Sequence, residues 1–235
     1  GGRSVAFTSF ERFELRTGAG QENLSFGGAD DKVWSGGGDD VVHSGGGHDL
    51  IFGEDGNDHL YGEDGDDQLD GGAGNDEMHG GEGSDIYFAT AGDVVVETGT
   101  TGTDEVRTDA ASFSIEAVAG IENLTGTGAV DQTLTGNAGA NRIDGGVGVD
   151  VLIGGAGNDT YIVSDVGDSV VELAGGGIDE VQASFSYALD AEVENLTLTG
   201  FFDHDGYGNA LANVITGNIG NNLLSGGDGD DNLDA

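Results

Sequence analysis

Carboxylate side chains recur at a fixed interval through the first part of the chain. Each of these aspartates follows a glycine-rich loop and stands two residues before an apolar residue. They are Asp31, Asp40, Asp49, Asp58, Asp67, Asp76 and Asp85. Ca²⁺ is a hard cation that takes roughly six to eight oxygen ligands, and it accepts carboxylates and backbone carbonyls readily. A carboxylate every nine residues, in loops that expose carbonyls, therefore predicts repeated cation binding rather than a single acid–base pair.

The aspartates belong to a nonapeptide frame, G-G-x-G-x-D-x-U-x, in which U is apolar. Glycine takes positive φ without strain, so the first six residues suit a tight loop. The last three residues suit a short strand whose middle side chain faces inward. Two such units make one turn of a flattened helix, so each loop stacks on the loop two repeats later, about 4.8 Å away. Copies of the frame begin at Phe26, Ser35, Ser44, Gly53, Gly62, Gly71 and Gly80, and a degenerate copy begins at Thr17.

The composition predicts that this fold depends on a counter-ion. Asp and Glu number 45 against 6 Lys and Arg, which gives a formal net charge of −39, and 48 of the 235 residues are glycine. The core of the predicted solenoid is a thin row of apolar side chains, and its burial is too small to offset the ordering entropy of so much glycine. We therefore expect the chain to be disordered without Ca²⁺ and to fold when Ca²⁺ binds.

The same composition excludes several classes of function. Nucleic acids and anionic membrane surfaces would be repelled by the negative charge. The chain has no cysteine, so it has no disulfide and no thiolate metal site. It contains no H-E-x-x-H, G-x-S-x-G or Walker loop motif and no apolar run of membrane-spanning length. We predict no catalytic residue, and the segment is not expected to be an enzyme.

Two further blocks continue the nine-residue spacing. The second block has Asp150 and Asp159 as candidate ligands and the neutral Asn141 at the equivalent position, which weakens that site without necessarily abolishing it. In the third block only Asp231 occupies the acidic position.

The stretches that follow the first two blocks, residues 84–108 and 158–183, resemble each other. They keep the loop spacing at Asp104 and Asp179, which we add to the candidate ligands. Glu97 and Glu172 stand at matching places, either as ligands or as solvated strand ends.

The nonapeptide frame resembles the hemolysin-type repeat of RTX (repeat-in-toxin) proteins, which are secreted by bacterial type I systems. The resemblance implies a right-handed parallel β-roll that binds several Ca²⁺ ions, and an extracellular location. It also implies that the ligands are the sixth-position aspartates together with loop carbonyls. The glycines of these loops are Gly36, Gly38, Gly45, Gly47, Gly56, Gly65, Gly72, Gly74, Gly81, Gly83, Gly155 and Gly157.

The pattern divides the chain into six segments. We predict an N-terminal strand or cap at 1–16, the main nonapeptide block at 17–88, irregular β coils at 89–135, a second block at 136–171, irregular coils at 172–207 and a truncated third block at 208–235. Because the start reads like the middle of a chain and the end stops inside a repeat, we expect a fragment of a longer protein. That protein is either a larger extracellular protein whose calcium-binding region folds after secretion, a secreted enzyme such as a protease, lipase or alginate epimerase, or an adhesin or glycan-binding surface protein.

Side chains on the two outer faces form rows at eighteen-residue spacing. On one face His43, Tyr61 and His79 form a ladder beside His59, which is either a transition-metal site or a solvated polar face. On the other face lie Trp34, Phe52 and Phe88. A row of exposed aromatic residues is typical of an interface, so this row packs either on a neighbouring domain or against an extracellular glycan.

Overall fold

The computed structural model describes residues 3–7 and 12–235 of the chain. The predicted N-terminal segment includes residues 1, 2 and 8–11, which lie outside the described residues. Every regular element within the described ranges is a β-strand. No helix there is long and apolar enough to cross a membrane. Contacts divide the chain into two compact units, residues 1–110 and residues 111–235.

The first unit contains strands β1 to β12. Their bounds are β1 Arg3–Ala6, β2 Glu14–Arg16, β3 Glu22–Ser25, β4 Lys32–Trp34, β5 Val41–His43, β6 Leu50–Phe52, β7 His59–Asp64, β8 Gln68–Asp70, β9 Glu77–Glu82, β10 Ile86–Ala89, β11 Val94–Val96 and β12 Asp104–Thr108. Odd-numbered strands form one parallel sheet in the order β1-β3-β5-β7-β9-β11, and the even-numbered strands β2 to β12 pair successively in the other. The chain therefore alternates between two sheets at every loop.

The register of the first unit confirms that each repeat stacks on the repeat two further along. Val42 pairs with Leu60, and Leu60 pairs with Met78, so the offset is eighteen residues. The middle side chain of each three-residue strand faces the interior, and its neighbours on either side are more accessible. These buried middle residues are Leu24, Val33, Val42, Ile51, Leu60, Leu69, Met78 and Tyr87. The core is a narrow row, as the nonapeptide frame predicts.

The second unit contains strands β13 to β26. Their bounds are β13 Ser112–Ser114, β14 Ile121–Gly126, β15 Thr133–Thr135, β16 Arg142–Asp144, β17 Val151–Ile153, β18 Thr160–Val163, β19 Ser169–Val171, β20 Glu180–Ala183, β21 Tyr187–Ala188, β22 Asn195–Leu198, β23 Gly206–Tyr207, β24 Val214–Thr216, β25 Leu224–Ser225 and β26 Asn232–Asp234. The even-numbered strands β14 to β26 pair successively in one parallel sheet. The odd-numbered strands form two shorter sheets, β13-β15-β17-β19 and β21-β23-β25.

Turns of the second unit differ in length. Ile143 pairs with Tyr161 at an offset of eighteen, Tyr161 with Val181 at twenty, and Val181 with Leu196 at fifteen. The inward side chains stay aligned despite these differences, because the loops absorb the extra or missing residues. Each unit is thus a parallel β-solenoid without helices among the described residues, which confirms the predicted fold class. The division into six segments stays a prediction.

Candidate metal-binding loops

The loop aspartates are connected to one another by hydrogen bonds along each stack. The backbone N–H of Asp40 donates to Oδ1 of Asp58 at 2.8 Å, and that of Asp58 donates to Oδ1 of Asp76 at 2.8 Å. The other stack of the first unit repeats this contact from Asp31 through Asp49, Asp67 and Asp85 to Asp104. We call these two rows the aspartate ladders. One carboxylate oxygen of each aspartate therefore accepts a backbone N–H from the loop eighteen or nineteen residues earlier, on which its own loop is stacked.

The second carboxylate oxygen is buried and has no hydrogen-bond partner within the described ranges. This holds for Oδ2 of Asp31, Asp40, Asp49, Asp58, Asp67, Asp76, Asp85, Asp150 and Asp159. An ionised oxygen that is removed from water without a partner is strongly unfavourable, unless a cation or a proton meets it. Carboxylate oxygens in glycine loops are also the donor type that Ca²⁺ prefers. The residues present therefore fit a bound calcium ion.

Burial also changes the acidity of these groups. It raises the pKa of Asp67 to about 8, and the nearby carboxylates of Asp49 and Asp85 add to the rise. The pKa of Asp58 is raised to about 7 by the same cause, with Asp40 and Asp76 contributing. The backbone hydrogen bond to each carboxylate acts in the opposite direction but is the smaller effect. In the absence of metal, the folded loops accordingly favour protonated aspartates.

The loop glycines named as candidate site residues all adopt positive φ. They are Gly36, Gly38, Gly45, Gly47, Gly56, Gly65, Gly72, Gly74, Gly81, Gly83, Gly155 and Gly157. At Gly65, with φ of 134°, a Cβ would also collide with the carbonyl oxygen of Gly47 in the loop beneath. Glu54 and Glu63 occupy the second loop position with φ of 69° and 77°, where most copies of the frame have glycine. Coordination by the loop carbonyls stays a prediction.

Two clusters of three carboxylates lie at the ends of the regular blocks. One is Asp85, Glu97 and Asp104, and the other is Asp159, Glu172 and Asp179. In each, one carboxylate oxygen per residue lies within 4.8 Å of the others, a spacing that could hold a metal ion. Asp104 and Asp179 were predicted as ligands from the loop spacing, and Glu97 and Glu172, each the residue after a strand and partly exposed, lie beside them.

A buried tyrosine accompanies each cluster. The hydroxyl of Tyr87 donates to Oε2 of Glu97 at 2.6 Å, and the hydroxyl of Tyr161 donates to Glu172. Sequence reasoning assigned both tyrosines to the apolar row and missed these contacts. A hydroxyl-bearing residue at the inward position of the last nonapeptide in a block is the signal that could have found them.

In the loops where Asn141 and Asn213 occupy the acidic position, the side-chain amide makes hydrogen bonds through both its oxygen and its nitrogen. Oδ1 of Asn141 accepts the N–H of Asn137 at 2.8 Å, and its Nδ2 donates to the carbonyl of Ile121 at 2.8 Å. The Asn213 amide makes equivalent contacts with Asn209 and Val193. The side-chain amides thus hold these loops through hydrogen bonds of their own.

Two aspartates that accept the backbone N–H of a loop aspartate differ from the rest, Asp93 in the first unit and Asp168 in the second. Asp93 accepts the N–H of Asp76 on Oδ1 at 3.0 Å and the N–H of Thr90 on Oδ2 at 2.7 Å. Asp168 likewise uses both oxygens for backbone N–H groups. Neither residue was predicted, because Asp93 stands one residue short of the nine-residue spacing, and Asp168 keeps the spacing but follows a loop that lacks most of the frame's glycines. Asp231 is half-buried and accepts the N–H of Asn213 at 2.9 Å.

The predicted outer rows are stacked in part, since Asp70 pairs with both Phe52 and Phe88 and so separates Phe88 from the other two aromatic residues. The ring of Tyr61 lies 4.4 Å from that of His43 and 4.6 Å from that of His79. Nδ1 of His43 contacts Glu63 at 2.9 Å, so this imidazole faces a carboxylate, and a transition-metal site there stays a prediction. On the other face, the Trp34 and Phe52 rings are stacked with centroids 5.3 Å apart.

The family model described as "RTX calcium-binding nonapeptide repeat (4 copies)" matches overlapping segments that together cover more than half of the chain. The matched residues are 17–51, 43–78, 52–87, 61–96, 79–109, 120–161 and 207–235. No curated protein shows significant sequence similarity to the chain.

Proposed function

Because the chain belongs to the RTX calcium-binding nonapeptide repeat family, we propose that it binds several Ca²⁺ ions between its stacked loops and folds when they bind. The observation that carries the proposal is the row of buried Oδ2 atoms without a hydrogen-bond partner in the described chain. One oxygen of each aspartate is committed to the backbone of the preceding loop, and the other is left for an ion.

The residues that would hold the ions are the ladder aspartates in the first unit and Asp150 and Asp159 in the second. Glycine carbonyls of the same loops would complete the oxygen shell. When bound, Ca²⁺ supplies positive charge that offsets the mutual repulsion of these carboxylates. The aspartate side chains are already oriented for an ion, because each Oδ1 accepts a hydrogen bond from a backbone N–H.

Folding and ion binding are coupled in this proposal. A chain with a net charge of −39 repels itself when compact, and its core is narrow. Metal that binds only the folded state adds its binding free energy to stability. The chain would therefore stay unfolded where calcium is scarce and fold where calcium is abundant.

Family membership supports a secreted, extracellular location within a larger bacterial protein. We propose that this chain is the calcium-binding structural region of that protein and has no catalytic role of its own. The activity of the whole protein is a separate question, and the enzyme and adhesin alternatives remain hypotheses. A neighbouring domain or an extracellular glycan remains the proposed partner of the Trp34–Phe52 row.

Circular dichroism of the chain tests the proposal. With excess chelator at neutral pH we expect a coil spectrum, and millimolar Ca²⁺ should produce a β spectrum. Mg²⁺ is the matched control, because it requires shorter bonds and retains its waters, so it should substitute poorly. A chain that is fully folded in chelator would contradict the proposal.

A further inference from the structure

The two three-carboxylate clusters share a construction that differs from the ordinary loops. Val96 pairs with His79, so the next residue, Glu97, stands opposite Gly80 at the first position of the loop. In the second unit Val171 pairs with Ile153, which places Glu172 opposite Gly154 in the same way. Both clusters therefore have a glutamate at the first loop position.

Ordinary loops have a neutral residue at this position. Ser35 Oγ donates to the carbonyl of Gly53 at 3.0 Å, and Ser44 Oγ donates to that of Gly62 at 2.8 Å. Two stacked ordinary loops thus bring together two aspartates, whereas the terminal loops add a third carboxylate. The backbone N–H of Asp85 still donates to Asp104 at 2.7 Å, and that of Asp159 to Asp179 at 2.8 Å.

A buried oxygen without a partner points into each cluster. Asp85 is 0% exposed and Asp159 is 1% exposed, and Oδ2 of both lacks a hydrogen-bond partner among the described residues. A Cβ on Gly154 would collide with Asp159 Oδ2, the Tyr161 hydroxyl and Glu172 Oε1. At Gly80 a Cβ would collide with Asp85 Oδ2 and the Tyr87 hydroxyl. These oxygens therefore surround one small space beside a glycine.

Tyr87 fixes the added glutamate. Its hydroxyl accepts the N–H of Gly80 at 2.7 Å and donates to Glu97 at 2.6 Å, so its orientation is set from both sides. The second oxygen of Glu97 accepts the N–H of Gly99 at 2.6 Å. Tyr87 is fully buried and acts as a positioning residue, since it contacts the cluster through its glutamate.

We propose that each cluster is a cation site of its own class, in which three carboxylates bind one Ca²⁺, or a lanthanide ion in its place, more tightly than ordinary loop pairs do. The inference rests on the proposed function, because it assumes that the solenoid binds calcium. The reason is the number of charged ligands, which sets calcium affinity in oxygen sites of otherwise similar kind. Among the described residues, one such cluster lies in each unit.

Native mass spectrometry of the chain at buffered free Ca²⁺ tests the number and affinity of these sites. We expect two ions to remain at a free Ca²⁺ concentration at least roughly tenfold below that needed for the others. Glu97→Gln together with Glu172→Gln should abolish this tight class and leave the other ions in place. The control, Glu14→Gln with Glu116→Gln, removes the same charge from two exposed positions outside the calcium loops and should retain both tight ions.

Terbium luminescence gives a second measurement that does not depend on those variants. In a Trp34→Phe background, tyrosine is the donor that sensitises bound Tb³⁺, and only a nearby tyrosine does so efficiently. The first two equivalents of Tb³⁺ should luminesce strongly, and Tyr87→Phe with Tyr161→Phe should remove most of this signal. Tyr61→Phe with Tyr207→Phe, which changes tyrosines outside the clusters, should preserve it.

The outcomes separate this inference from the proposed function. If all ions bind as one class, or if the glutamine variant keeps two tight ions, the inference is wrong while calcium binding stands. The same holds if Tyr87→Phe with Tyr161→Phe keeps the full luminescence of the first two equivalents. If the unaltered chain binds no Ca²⁺, the proposed function itself fails.

Discussion

The backbone N–H of Asp49 donates to Oδ1 of Asp67 at 2.7 Å, while Oδ2 of Asp67 is buried and has no hydrogen-bond partner in the described part of the chain. The two oxygens of one carboxylate thus have separate tasks. One connects successive turns of the solenoid, and the other is available to an ion. Loss of this side chain should therefore affect both the stacking of the loops and their response to calcium.

Asp67→Asn should have opposite effects with and without calcium. The amide keeps an oxygen for the Asp49 N–H but removes a carboxylate whose burial is unfavourable in the metal-free fold. We expect a calcium midpoint for folding about tenfold higher, equivalent to about 1.4 kcal/mol, and a small gain in metal-free stability. Calcium titration followed by circular dichroism measures the midpoint, and the β signal that remains in excess chelator measures the metal-free effect. Asp231→Asn, at a half-buried position near the end of the chain, should shift the midpoint little, and equal shifts at the two sites would contradict the ladder interpretation.

Acid should partly replace calcium. In the metal-free fold, burial raises the pKa of Asp58 to about 7, of Asp67 to about 8 and of Asp85 to about 6, above the ordinary aspartate value of 3.8. Protonation therefore favours the folded chain, and this stability is complete below the unfolded pKa and is lost as pH rises through 6 to 8. Calcium-depleted protein should show more β signal near pH 4.5 than near pH 8.

With calcium present the dependence should reverse, because protons compete with ions for the same oxygens. The calcium midpoint should rise as pH falls through the same range. A metal-free chain that is equally disordered at both pH values would show that the buried carboxylates do not control folding.

Asn141→Asp should convert a loop held by hydrogen bonds into one that depends on calcium. The present amide donates to the Ile121 carbonyl, and a carboxylate cannot donate. An unpaired buried carbonyl and a new buried charge should lower metal-free stability by about 1–3 kcal/mol. Saturating calcium should restore it and add bound calcium, which native mass spectrometry would count. Unchanged stoichiometry together with unchanged stability would exclude this role for the amide.

Leu60→Ala should destabilise the calcium-loaded chain strongly. Leu60 is fully buried in the single apolar row, and its truncation leaves a cavity that a narrow core cannot fill, at a cost of about 2–5 kcal/mol. Val94→Ala, at a residue that is 53% exposed, should cost less than about 0.5 kcal/mol. Thermal unfolding at saturating calcium compares the two. Similar melting temperatures for both variants would mean that ions, rather than the apolar row, stabilise the solenoid.

Much of the regular blocks could be predicted from the sequence because each nonapeptide repeats the same local chemistry. The inward position of Ile51, the stacking offset of eighteen and the burial of Asp58 all follow from one frame. The frame fails where turns change length. Asp93 stands one residue short of the spacing, whereas Asp168 keeps the spacing but lacks the glycine pattern before it, so the full frame identified neither residue.

The hydrogen-bond contacts of the clusters were harder to predict for another reason. Tyr87 occupies an apolar position of the frame, and its ring is buried in the core. Its hydroxyl therefore indicates a hydrogen bond only once the partner, Glu97, is known. Glu97 reaches it because this turn is one residue longer than the regular ones, with an offset of nineteen from Asp85 to Asp104. The asparagine loops present a similar difficulty, since the earlier asparagine of each loop, Asn137 or Asn209, completes the contacts and lies outside the acidic position.

The eighteen-residue register of the first unit has a consequence for how such a chain can lengthen during evolution. Adjacent nonapeptides belong to opposite sheets, so inserting one nonapeptide would move every later strand of the unit to the other side. If the insertion fell between His43 and Tyr61, Tyr61 would lie in the sheet that contains Trp34 and Phe52 and could no longer stack on His43. Duplication of two nonapeptides together leaves both sides unchanged. The heritable unit of growth is therefore the pair, even though the chemical repeat is the single nonapeptide.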